Sequence, residues 1–104
     1  MILLVTYDLK KTDKDYTSLY NILKTAPNWW HFMDSTWILQ TIESVEVWNN
    51  KIKTVIDQND LVLIVDITKR PRQGWLTKEA WDWIRANENW SATHQPPETD
   101  SPDK

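Results

Sequence analysis

Apolar residues run almost unbroken from Ile2 to Leu9 (ILLVTYDL), with an acid near the end, which is the pattern of a short central strand covered on both faces. Lys10 to Asp15 (KKTDKD) supply turn and capping chemistry. Asp15 precedes Tyr16, Leu19, Tyr20 and Leu23, whose i, i+3, i+4, i+7 spacing predicts an amphipathic helix stopped near Pro27. Trp29 to Thr41 (WWHFMDSTWILQT) is aromatic and β-branched but too long for one strand. Asp34-Ser35 in its middle has turn chemistry, so a hairpin of Trp29 to Phe32 and Thr36 to Thr41 is expected. Ser44 is placed to cap a second helix with Val45, Trp48, Ile52, Val55 and Ile56 on one face, ending near Gln58.

Asp60 to Thr68 (DLVLIVDIT) repeats the character of the first strand and reads as a second buried one. Leu61, Leu63, Val65 and Ile67 share one face; Val62, Ile64 and Asp66 share the other. Lys69 to Gly74 form a basic loop, and Thr77 caps a third helix, with Leu76 and Trp81 at staple spacing, that runs to about Asn89. From Ser91 onward, three of the five prolines sit among Thr, Ser, Gln and acids, which predicts a disordered tail.

The order β α β β α β, followed by a helix, predicts an α+β fold: a ferredoxin-like βαββαβ sandwich with an added C-terminal helix over residues 1–90, and the Pro/acidic tail over 91–104. Both main helices are expected on one face of an antiparallel sheet, with the first and third strands central and parallel to each other. Such a fold hosts many activities and assigns none.

Composition narrows the chemistry. The chain has 104 residues, enough for one domain with a real core. The absence of cysteine removes disulfides, thiolate zinc sites and cysteine nucleophiles, and fits a cytoplasmic setting. The apolar start is too short for a signal peptide or a membrane span, so neither that export route nor membrane insertion is expected. Gly74 is the only glycine, which excludes glycine-rich phosphate loops. The formal charge is −3, yet residues 1–90 carry 11 basic and 12 acidic side chains, leaving room for a local basic patch. Eight tryptophans are the oddity.

The succession VTYDL, helix, WWHFMDSTW, helix, NDLVLIVDI resembles small bacterial proteins labelled SinR-like, although no helix-turn-helix DNA reader is evident. More distantly, a first strand ending in Tyr-Asp, a hairpin around Ser-Thr-Trp and a last strand entered through an acid resemble the small CRISPR-associated adaptation nucleases and the VapD toxins, over residues 1–68. That resemblance implies a ferredoxin-like homodimer, magnesium-dependent nuclease chemistry on RNA or DNA, and Asp8 as the metal ligand.

Asp8 is also the sharpest candidate on its own chemistry, because an acid at the end of a central strand is costly when enclosed unless paired, neutralised or metal-bound. A symmetric dimer can bring two such carboxylates to one magnesium ion. The plainer alternative is a turn acid accepting backbone N–H groups. Lys10, Lys11 and Lys14 follow as phosphate contacts or as a solvated loop, while Lys69, Arg70 and Arg72 are expected at the opposite end of the sheet. His31 is a candidate acid or base, with a structural role beside its aromatic neighbours as the alternative. Trp81 and Trp83 lie about 200° apart on a helix, so one apolar face cannot hide both. Trp37, Trp75, Trp81 and Trp83 are therefore candidates for an interface, with the Trp75 loop or a partner subunit covering one ring. Two functions follow: a homodimeric metal-dependent nuclease, or a non-catalytic module that binds itself or a protein partner through a Trp-rich surface.

Overall fold

The computed structural model describes residues 1–10 and 16–89, so Lys11, Lys14, the Asp15 cap and the 91–104 tail lie outside the described residues. Seven elements follow in order: β1 (Ile2–Asp8), α1 (Thr17–Leu23), β2 (Asn28–Met33), β3 (Thr36–Gln40), α2 (Val45–Ile52), β4 (Leu61–Asp66) and α3 (Lys78–Asn87). The caps sit where their side-chain chemistry places them. Ser44 accepts the Val47 N–H at 3.2 Å, and Thr77 accepts the Ala80 N–H at 3.2 Å. Helix α2 is shorter than its apolar spacing suggests. It stops at Ile52, where the Thr54 hydroxyl bonds back to the Lys51 carbonyl and the Val55 N–H bonds Ile52, tightening the chain into turns.

The sheet order is β2-β3-β1-β4, with every neighbouring pair antiparallel, which is compatible with a ferredoxin-like arrangement. Strands β1 and β3 are central as expected, but they run antiparallel and not parallel: Leu3 faces Leu39, and Val5 faces Trp37. The reason is geometric. The crossover through α1 makes β1 and β2 run the same way, so β3, turned back by the hairpin and inserted between them, must oppose both.

Each face of the sheet carries its own core. The odd residues of β1 (Leu3, Val5, Tyr7) join Trp37 and Leu39 of β3, Leu19 and Leu23 of α1, and Trp48 and Ile52 of α2. The even side carries a smaller cluster in which Ile2, Ile38 and Trp30 meet Ala80 and Ile84 of α3. The Trp30 indole N–H reaches the Ala80 carbonyl at 3.3 Å. Helix α3 therefore packs on the face opposite α1 and α2, against β2, β3 and the start of β1, and leaves Leu61, Leu63 and Val65 of β4 uncovered.

Strand β4 is consequently not the second buried strand its apolar run predicts. It lies at the sheet edge, with Val62 and Ile64 packed under the helices and Leu61, Leu63 and Val65 exposed. Its sequence is as apolar as that of β1, and only the position of α3 distinguishes a covered face from an open one.

Candidate functional site

The open half of the sheet is built by β1 and β4. Register places Leu4 beside Val65, Thr6 beside Leu63 and Asp8 beside Leu61, so these side chains share the face opposite α1 and α2. Leu61 and Leu63 are each 59% exposed and Val65 39%, in an adjacent row. An open depression of about 270 Å³ runs along the end of this row between Thr6, Asp8, Leu61 and Leu63.

Asp8 stands at the rim of that depression. Its side chain is 63% exposed and pairs with the Lys10 ammonium at 2.7 Å. It is thus neither enclosed nor tied to backbone amides, and its pairing is a surface ion pair of small energetic weight. Among the described residues no group of three or more His, Asp or Glu side chains is gathered for a metal ion.

The enclosed acid is Asp60, immediately before β4. It is buried, and its carboxylate accepts the Lys10 N–H at 2.8 Å, the Asp57 N–H at 2.8 Å and the Tyr16 hydroxyl at 2.9 Å. Those bonds tie together the segment after β1, the start of α1 and the turn into β4. Its signal in the sequence was the acid that opens DLVLIVDI, overshadowed by the acid at the end of β1.

His31 lies on the other side of the sheet. Its ring stacks on Trp37 with centroids 3.9 Å apart and planes 15° from parallel, and Nε2 lies 3.1 Å from the Asp34 carbonyl. Asp8 follows Ile2, Leu4 and Thr6 on the opposite face, so the structure does not bring Asp8 and His31 into one site. Trp37 is buried within its own subunit, and its indole N–H donates to the Tyr7 hydroxyl at 2.9 Å. Burial pushes the Tyr7 phenol above its ordinary pKa, outweighing the Trp37 N–H that favours the phenolate.

The other tryptophans divide. Trp81 and Trp83 are both partly buried against the α3 core, and the Trp83 indole N–H is buried without a hydrogen-bond partner. Trp75 is fully exposed and covers neither ring. The basic loop sits at the far end of the sheet from Asp8, as expected, because β4 sets Asp66 beside Leu3. Arg72 and Lys69 are engaged there by Glu88 of the α3 end: Arg72 pairs with it at 3.1 Å, and the Lys69 N–H donates to it at 2.8 Å. Burial works against the Glu88 charge, but these donors prevail and hold its carboxyl below the usual glutamate range.

Among the described residues no helix is long and apolar enough to cross a membrane. No family model matches this chain, and neither does any curated protein or solved structure.

Proposed function

We propose that the protein is a non-catalytic interaction module on a ferredoxin-like scaffold, and that its working surface is the open β1–β4 half of the sheet. The observation that carries this reading is the contiguous exposed row of Leu61, Leu63 and Val65, since apolar rows of this kind mark association sites on folded domains. The surface is aliphatic; Trp75, fully exposed on the loop before α3, is the one expected interface tryptophan free to join a contact. A cytoplasmic setting is in keeping with the cysteine-free composition. A photo-crosslinking side chain at Leu63 of the full chain is expected to give protein adducts, with itself or another chain. The same group at exposed Glu79 on α3 is expected to give none. Equal yields at the two positions would sink this reading.

A second reading, a homodimeric magnesium-dependent nuclease acting on RNA or DNA, has one observation in its favour. Asp8 offers its carboxylate to solvent on this same open face, beside Lys10, so a partner seated there meets both. One subunit supplies a single carboxylate already paired with a lysine, which does not by itself make a magnesium site. Magnesium-stimulated cleavage by the full chain that disappears in Asp8→Ala would establish the nuclease and remove the non-catalytic reading. The module predicts no cleavage in either protein.

A further inference from the structure

We infer that a second copy of this chain pairs with the free edge of β4, antiparallel and about a two-fold axis at Ile64, joining two four-stranded sheets into one of eight strands. This rests on the reading of the open β1–β4 half as the working surface and names the partner that joins it at its edge.

The edge is available in its backbone as well as its side chains. The Ile67 N–H bonds the Ile2 carbonyl at 3.1 Å, which turns the backbone groups of Leu61, Leu63 and Val65 toward β1. By the alternation of an antiparallel ladder, those of Val62, Ile64 and Asp66 point outward. Natural edge strands are guarded by bulges, prolines or lysines. Strand β2, the other edge, has such a guard, a register shift between Trp30 and Met33. Strand β4 has no bulge, proline or lysine: Leu61 to Val65 are five consecutive apolar residues with regular pairing to β1, and Asp66 at its end is the strand's one charge. Open depressions reach this strand from both faces, one between Thr6, Asp8 and Leu63, the other between Val45 and Asn49 of α2 and Val62 and Ile64.

Three features select a second copy as the occupant. The outward residues are spaced symmetrically about Ile64, so an antiparallel twin sets Val62 against the partner's Asp66 and Ile64 against the partner's Ile64, with donors and acceptors matched in both directions. The same register sets Leu63 beside the partner's Val65 on one face of the joined sheet, so the two exposed rows become lateral neighbours in cross-strand aliphatic pairs. Asp57 and Asp60 precede the strand, and Lys69 and Arg70 outnumber Asp66 at its other end, so antiparallel pairing brings each net basic end toward the partner's acids, whereas parallel pairing would set like against like. The chain's own residues 90–104 offer little in competition: apart from prolines, only Trp90 and Ala92 are apolar.

Light scattering of the full chain at micromolar concentration is expected to give twice the 12.4 kDa chain mass. Leu63→Glu, whose side chain lies outside both cores, is expected to leave far-UV circular dichroism unchanged. It should weaken association about tenfold, because it replaces two symmetry-related aliphatic cross-strand pairs with a charge beside the partner's Val65. Amide exchange supplies a second readout on the parent alone. The Val62, Ile64 and Asp66 amides should slow as concentration rises while that of Leu63, turned toward β1, does not change. A monomeric parent overturns the proposal, as does a dimer whose Val62, Ile64 and Asp66 amides are indifferent to concentration. A monomer that still forms adducts with another protein through position 63 would reject the twin and leave the surface assignment intact.

Discussion

Two aspartates near the same end of the sheet have opposite physical situations. Asp8 is solvated and loosely paired, whereas Asp60 is buried and satisfies two backbone N–H groups and a tyrosine hydroxyl. Removing a buried acceptor leaves its donors unsatisfied, and each such group costs on the order of 1–3 kcal/mol. Asp60→Ala is therefore expected to lower unfolding stability by about 3 kcal/mol in a urea titration. Asp8→Ala is expected to change it by less than about 0.5 kcal/mol, the scale of an exposed pair. Equal effects from the two substitutions would show that the carboxylate network of Asp60 is not what fastens β4 to the β1–α1 connection. The contrast also makes Asp8→Ala a clean functional probe, since a loss of activity in that variant cannot be blamed on unfolding.

At the scale of elements, α3 is held to the sheet at its C-terminal end by Glu88, which gathers Arg72 and the Lys69 N–H. Lys69 itself adopts a φ of 54°, an uncommon conformation for a residue with a side chain. The Glu88 carboxyl is depressed in the folded state, so its contribution is complete above the ordinary glutamate value of 4.5 and is lost as pH falls through the lower folded value. Protection of α3 amides against exchange should thus fall selectively below that value in the parent. In Glu88→Gln it should be weaker at neutral pH and insensitive to the same acid step. An acid step of undiminished size in that variant would assign the effect to other carboxyl groups.

Much of this element layer was legible in the chain: the Ser44 and Thr77 caps, the Asp34-Ser35 turn, the two-faced β1 and the alternation in β4 all occupy their expected places. What was hidden was long-range. An apolar run such as LVLIVD is the same string whether one face is covered or both, and Trp37 reads the same whether it faces a core or a partner. The antiparallel course of β3 against β1, by contrast, was contained in the expected element order, since a helical crossover followed by a hairpin dictates it.

At the scale of the whole molecule, the two faces of the sheet are unequal. Eleven buried residues unite the sheet with α1 and α2, against five on the α3 side, where a buried Trp83 N–H also goes unpaired. Burial of apolar area sets how much each layer adds to stability, and an unsatisfied donor subtracts from it. The α3 layer should therefore open without unfolding the rest, as a separate cooperative unit of lower stability. Native-state hydrogen exchange in low urea is expected to show α3 amides exchanging through an opening that costs less free energy and exposes less surface than global unfolding, while those of β1 and β3 report the global limit. Pairing of a second copy along β4 would raise the protection of that edge strand and leave this hierarchy in place, because the core of α3 is built with Trp30, Ile38 and Ile2, while Leu61 to Val65 lie outside it. If α3 amides instead merge with those of β1 at a common free energy, both cores form one cooperative unit and the inequality of the two layers has no energetic consequence.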